Sequence, residues 1–465
     1  MMSEDPSKHL IERFEDQLRQ NQAGFFDVDE LEEIADYYLE TGQLPRALLA
    51  IDMGVGLHPY ATTFAVKRAR YYVAAHQLDL AKDALAEAES LAPNHPDIEW
   101  VRGQLLMRLG KNTEAIASLK KALQTAEDPF PIQGHLASLY TAIGQFSHAV
   151  KVLKAMLREE PKDDHLLYML AANYDMAGQD EKAIEWFKGY IDEYPFSETA
   201  WYHLGAAYYR LDDLDRALDA MDYALVIDEN FTAAHFDRGR ILEEKEDYQE
   251  AIKAFEAAID TDEPSGYTYY RMGVCQQALG LEAEALVSLK HATKLDEDLD
   301  EAWIELAIIH GENNRLFEGI QHAKKALSLD PDNPDYYLVA YDLYMQLGLL
   351  LEAEKMLKMV LKTLRIEEPS GLLDYAKSLL EMNQIDAAHS VLRMGLERYP
   401  DSPEMWAIYS GFLYAIQEMT LAQQHLKEAL QRYGSSFSTH LLLHYPKLGE
   451  DPEITGELNK HLPQA

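Results

Sequence analysis

Apolar residues along this chain recur at spacings of three and four, and polar breaks interrupt them at regular intervals. In the stretch "AWYHLGAAYYRLDDLDRALDAMDYAL", residues 200–225, Trp201, Leu204 and Tyr208 fall on one helical face, and a second stripe follows the break at "LDDLD". Similar stretches, "TAAHFDRGRILEEKEDYQEAIKAFEAAI" and "GYTYYRMGVCQQALGLEAEALVSLKHAT", follow at 34-residue intervals. Units starting at 28, 62, 96, 130, 164, 198, 232, 266, 300 and 334, then after one extra residue at 369 and 403, divide residues 28–436 into twelve. Each unit predicts two helices, so the chain predicts an all-α array with no strands.

Small residues indicate how the two helices meet. The twentieth place of each unit reads Ala47, Ala81, Ala115, Ala149, Ala183, Ala217, Ala251, Ala285, Gly319, Ala353, Ala388 and Ala422. The eighth is Gly or Ala in ten units, with Tyr341 and Ser410 in the other two. Two small sites twelve residues apart, one per helix, let the helices cross in close contact; a larger side chain there costs roughly 1–3 kcal/mol. Gly42, Gly110, Gly144, Gly178, Gly280 and Gly348 suit the left-handed residue that ends a first helix. Pro59, Pro93, Pro161, Pro195, Pro331 and Pro400 stop the second.

Both ends carry capping patterns. Leu10, Phe14 and Leu18, with Phe25 and Phe26 behind them, form a stripe in residues 1–27 that can cover the first unit. "SFSTHLLLHYPKLG" and "EITGELNKHL", within residues 437–465, read as short closing helices. Units 9 to 11 depart from the pattern, with Gly319, Tyr341, Val360 and the extra residue near 369. A change of curvature is expected there, either a hinge or a drifted packing contact. Met156 and Tyr190 replace small residues at the twenty-seventh place of units 4 and 5, where they should widen the spacing.

Composition narrows the function classes. Asp and Glu number 80 against 42 Lys and Arg, a net charge of −38, while 47% of the residues are hydrophobic. Such a chain folds, presents an acidic surface and is poorly suited to nucleic-acid backbones or anionic membranes. One cysteine, Cys275, a charged start and no apolar run of about 18 residues lead us to expect a cytoplasmic protein without a membrane span.

The repeat resembles the tetratricopeptide repeat. That family's pattern of Trp, Leu, Gly, Tyr, Ala, Phe, Ala and Pro appears here as Trp201, Leu204, Gly205, Tyr208, Ala217, Met221 and Ala224, with Glu229 in place of the proline. The resemblance covers about nine tenths of the chain. It implies an α-solenoid wound as a right-handed superhelix, with a concave wall lined mainly by the first helices, that holds a peptide or partner protein.

In this family the second, fifth, sixth, ninth, twelfth and thirteenth places face the concave wall. The asparagines of the clamp that grips chaperone C-termini are absent: the ninth place reads Asp36, Arg70, Gln104, Ser138, Ala172, Ala206, Arg240, Val274, Ile308, Asp342, Lys377 and Gly411, and the sixth holds no Asn. What the wall does hold, in units 6 to 8, is Tyr202, Tyr209, Phe236, Tyr267 and Tyr270 with Arg210, Arg240 and Arg271. Aromatics and arginines anchor recognition surfaces, so this band is the candidate partner-binding groove, although tyrosine also recurs at the fifth and twelfth places without any ligand. Over those places in units 2 to 8, six basic residues (Lys67, Arg70, Arg108, Arg210, Arg240, Arg271) meet five acidic ones (Asp97, Asp175, Asp237, Glu243, Glu244), which reads as a nearly neutral wall.

Catalytic motifs are missing: there is no phosphate-cradling loop, Gly-x-Ser-x-Gly turn or His-Glu-x-x-His pair. His440 and His444 have the spacing of two metal ligands, but no Cys or third His follows, so neither a metal nor another cofactor is expected. Cys275 reads as inert packing. The leading expectation is a non-catalytic scaffold for a protein or peptide. The alternative is a helical-repeat protein acting in RNA processing, which the acidic balance disfavours.

Overall fold

The computed structural model describes residues 6–20, 25–93, 95–261, 265–366 and 368–459. All regular structure among them is helical: twenty-seven α-helices, α1 (Pro6–Gln20) to α27 (Pro452–Asn459), and one short 3-10 turn at Pro446–Glu450. The chain forms two compact units, Met1–Asp237 and Arg238–Ala465. Helices come in antiparallel pairs, from α2 (Val28–Glu40) with α3 (Leu44–Leu57) to α24 (Pro403–Ala415) with α25 (Met419–Tyr433).

The same local chemistry builds each pair. Some first helices start on a side-chain cap. Asp27 accepts from the Glu30 amide at 2.9 Å while Glu30 accepts from the Asp27 amide at 3.1 Å, a reciprocal capping box, and Ser197 and Ser402 accept from Ala200 and Met405. Every first helix ends on a residue with positive φ. Glycine fills six of these positions (Gly42, Gly110, Gly144, Gly178, Gly280, Gly348), and His76, Asp212, Glu246, Asn314, Asn383 and Gln417 fill the others. The next amide then reaches back five residues, as Lys111 does to the Leu106 carbonyl at 2.9 Å and Asp247 to Leu242 at 2.9 Å. Five residues at the fourth place tie the first helix to the turn before it. Trp201, Trp303 and Trp406 donate their indole N–H to the carbonyls of Pro195, Glu297 and Pro400, Tyr337 donates its hydroxyl to Pro331, and the His235 ring nitrogen meets the Glu229 carbonyl at 2.9 Å.

Close approach within pairs explains the small residues. All eleven twentieth-place alanines are buried and Gly319 is buried with them. A methyl group at Gly205 would stand 3.1 Å from the Ala217 carbonyl oxygen, and one at Gly103 only 2.6 Å from Leu119. Tyr341, the exception at the eighth place, is wholly enclosed, with its hydroxyl 3.3 Å from Ser390 Oγ. Val360 is equally buried, so units 9 to 11 fill their core with larger side chains, and Arg365 adds a left-handed residue where the extra position falls.

At the start of the chain, Leu10 and Phe14 of α1 pack with Phe26, Leu31, Ile34 and Tyr38. Glu15 fixes the helix by accepting from the Tyr38 hydroxyl at 2.7 Å and pairing with Arg46 at 2.7 Å. Phe25 departs from the expected stripe: it is 75% exposed, because only one of two consecutive loop residues can turn into the core. At the other end α26 (Ser435–His444) lies on α24, burying Phe437 and Leu441 beside Trp406 and Leu430. The final residues of "EITGELNKHL" lie outside the described residues.

Candidate functional site

The expected groove residues sit on three first helices, α12 (Glu198–Arg210), α14 (Thr232–Glu244) and α16 (Gly266–Ala278). In the first compact unit, Tyr202, Tyr209 and Phe236 are half-buried and Arg210 is exposed. Tyr202 leans toward α14, donating to Asp237 at 2.8 Å with its ring 5.1 Å from Phe231. Beside it His203 is buried against Tyr168 and Phe187, and burial pushes its imidazole down to about 3, so it stays neutral. Arg210 is held by Asp180 at 2.6 Å and Asp175 at 3.3 Å.

In the second unit, Arg240, Tyr270 and Arg271 are half-buried and Tyr267 is 40% exposed. Arg271 donates to Glu243 at 2.8 Å and reaches the Tyr267 hydroxyl at 3.5 Å. Tyr270 is pushed up to about 12 by burial and by Glu305 and Glu301. Both Arg210 and Arg271 are thus ion-paired by carboxylates of an earlier repeat, and they tie successive repeats together. Their donor capacity is smaller than charge counting along the wall suggests.

A cleft lies nearer the start of the chain. First helices of four consecutive repeats, α2, α4 (Thr63–Ala74), α6 (Asp97–Arg108) and α8 (Phe130–Ala142), enclose a cleft of about 560 Å³. Its floor is apolar, from Leu39, Val73, Met107, Leu139 and Ile143. Its rim carries Arg70, Arg108, Gln104, His135, Ser138 and Asn112. Arg70 lies over the Trp100 ring at 4.6 Å and pairs with Asp36 at 2.9 Å and Glu40 at 3.5 Å, so its charge is met within the fold. The His135 Nδ1 meets the Pro131 carbonyl at 2.8 Å and its Nε2 meets Gln104 at 3.0 Å, which fits a neutral ring donating at Nδ1 and accepting at Nε2. Burial, with Arg70 and Arg108 nearby, holds that imidazole below its ordinary range. Arg108 is exposed and has no carboxylate partner among the described residues. The cleft therefore offers apolar area beside an available guanidinium. The repeat pattern places Arg70, Gln104, Arg108 and Ser138 at wall positions but does not group them; the signal is a basic residue in each of two successive units, at Arg70 and Arg108, with His135 one unit further on.

A second cleft, about 650 Å³, lies between the second helices α9 (Phe146–Glu159) and α11 (Asp180–Glu193), where Tyr190 takes the place of a small residue. Tyr190 stacks on Trp186 at 5.3 Å and donates its hydroxyl to the Pro161 carbonyl. Lys154 lies over the Tyr174 and Trp186 rings at 5.2 and 5.7 Å, and burial lowers its affinity for a proton.

Other groups singled out in the sequence have structural settings. Cys275 is fully buried, and burial together with Glu243 pushes its thiol up to about 12. A thiol reagent should therefore leave the native chain unlabelled and react with one equivalent only on denaturation; rapid labelling of native protein would contradict the buried setting. Asp342 on α20 (Pro334–Gln346) is raised to about 6 by burial and by the nearby Asp386 carboxylate. The folded state then holds a proton more tightly than the unfolded chain, so stability falls as pH rises between about 4 and 6. Asp342→Asn should be more stable than the parent above about pH 7, with the difference vanishing towards pH 4; thermal melts at both ends of that range check the sign. His440 and His444 of α26 are joined by Glu404 of α24, a residue 36 positions earlier that local spacing could not reveal. No helix among the described residues is long and apolar enough to cross a membrane.

Known proteins match this repeat. Tetratricopeptide repeat sequences match residues 66–130, 106–174, 142–208, 198–231, 232–264 and 369–411. No curated protein matches the sequence. Among solved structures, YrrB, described as a tetratricopeptide repeat protein with an unusual peptide-binding site, is 24% identical over 39% of this chain and 93% of its own, with a TM-score of 0.35. MamA from Desulfovibrio magneticus is 19% identical over 37% of this chain and 96% of its own, at 0.34. A chain of the Cut9–Hcn1 assembly of APC/C is 15% identical over 88% and 97%, at 0.38. The family matches together span residues 66–264 and 369–411, just over half of the 465 residues, and the chain belongs to the tetratricopeptide repeat family.

Proposed function

We propose that this protein is a non-catalytic scaffold that holds a peptide or a segment of a partner protein against the face of its first helices. The observation that carries the reading is the cleft lined by α2, α4, α6 and α8, where an apolar floor meets the guanidinium of Arg108, which has no carboxylate partner among the described residues. A segment presenting an apolar side chain next to a carboxylate fits that chemistry, since burial of the side chain supplies affinity and the charge supplies orientation. Tyr202, Tyr209, Arg210 and Phe236 in the first unit, and Arg240, Tyr267, Tyr270 and Arg271 in the second, supply further anchors on the same class of helix. Nucleic acid is a poor occupant, because Arg210 and Arg271 are already paired with carboxylates and the chain carries −38 net charge.

Selection of a displayed random-peptide library on the full chain tests the reading. Enriched peptides should contain an acidic residue beside an apolar one. Replacing Tyr202, Phe236 and Tyr270 together by Ala should weaken binding of those that need the aromatic band. A library that yields no binder, or binders indifferent to both the cleft and the band, would contradict it.

A further inference from the structure

We propose that Glu404, His440 and His444 form a binding site for a divalent transition metal of the zinc class, fastening the closing helix α26 to the last repeat. The two histidines are four apart on α26 and so share one face with Phe437 and Leu441, which are fully buried against α24. That burial fixes the ring-bearing face toward α24. Glu404 lies in the first turn of α24, where Pro403 opens the helix and Ser402 caps it by accepting from the Met405 amide at 3.2 Å. One ligand atom from each of the three residues lies within 4.8 Å of the other two. The His444 Nε2 and a Glu404 carboxylate oxygen are 3.1 Å apart, near the edge of about 3.4 Å that a tetrahedron with bonds of about 2.1 Å requires.

The donor set selects the ion. Two imidazoles and one carboxylate suit zinc and its neighbours in the transition series, whereas calcium and magnesium take six or more oxygens. A plain ion pair between His444 and Glu404 accounts for two of the three residues and leaves His440 without a role: its Nδ1 is buried, and its ring makes no hydrogen bond among the described residues. A bound ion gives all three a function. Each residue is half-buried, which lets an ion enter from solvent and leaves the fourth coordination position to water or to a side chain from outside the site. The site lies on the closing elements of the second compact unit, and it stands or falls separately from peptide binding.

The test uses the full chain, untagged and freed of metal by chelation, titrated with zinc chloride in excess magnesium. The expected result is one zinc per chain, with a raised melting temperature on binding. Cobalt at the same stoichiometry should give the intense visible bands of a tetrahedral centre. His440→Ala and His444→Ala should each weaken zinc binding by at least about 100-fold, since loss of even an outer partner costs 10–100-fold. Glu404→Gln keeps shape and packing and so reports on ligation if the histidine variants disturb folding; it should lose the zinc-dependent rise in melting temperature. Absence of stoichiometric zinc in the parent, or equal zinc affinity in Glu404→Gln and the parent, overturns the proposal.

Discussion

Ala217→Leu should destabilise the array by about 1–3 kcal/mol, the usual cost of forcing a larger side chain into a filled site. Ala217 has no solvent exposure, and its carbonyl stands where a methyl group on Gly205 of α12 would come within 3.1 Å. The helix pair has no room for three more carbons unless α12 and α13 (Leu214–Ile227) move apart. Each repeat buries its core only against its neighbours, so separation of one pair weakens the pairs on either side as well. Urea unfolding followed by circular dichroism measures the loss. Val226→Ala on the same helix is the control, because Val226 is 83% exposed and should change stability little. Equal midpoints for the two variants would mean that the twentieth-place alanines are not set by close helix contact.

Arg108→Glu should weaken binding of peptides selected on the chain by about tenfold or more, equivalent to about 1.4 kcal/mol. The nearby Arg70 cannot compensate, since Asp36 and Glu40 already take up its charge. Reversal therefore turns the rim from attractive to repulsive towards a carboxylate, and it should act on both the association rate and its salt dependence. Arg158→Glu is the matched control: an exposed arginine reversed in the cleft between second helices. Calorimetric titration of both variants with one selected peptide reads the difference. Equal losses would show that general charge, not the α2–α8 cleft, governs binding.

The repeat was legible in the sequence because its rules are local. A small residue every 34 positions and a helix stop between two apolar stripes can be read without knowing what touches what. Half of the helix stops were nevertheless hidden. Gly144 announces a left-handed residue, whereas Glu246 and Gln417 adopt the same φ of 60–65° under the constraint of the pairing around them. The fourth-place donors are likewise only partly visible: the repeat pattern puts Trp201 in the packing of its unit, and its indole also holds the preceding turn.

The candidate site was less legible, for a physical reason. Charge counting places Arg210 and Arg271 on the wall but cannot pair Arg210 with Asp180, 30 residues earlier, or Arg271 with Glu243, 28 earlier. Those partners come from the preceding repeat, so they depend on how repeats stack. The Arg70–Arg108–His135 cleft draws on four repeats and Glu404 joins two histidines from another helix; both exist only once the chain is stacked.

Photo-crosslinking tests the central claim most directly. A photoreactive residue is placed either at Ser138, exposed on the rim of the α2–α8 cleft, or at Val226, exposed on the second helix α13. A selected peptide should crosslink from Ser138 and not from Val226, and Arg108→Glu should abolish the product. Crosslinking from Val226 alone, or equally from both positions, would contradict recognition by the first helices.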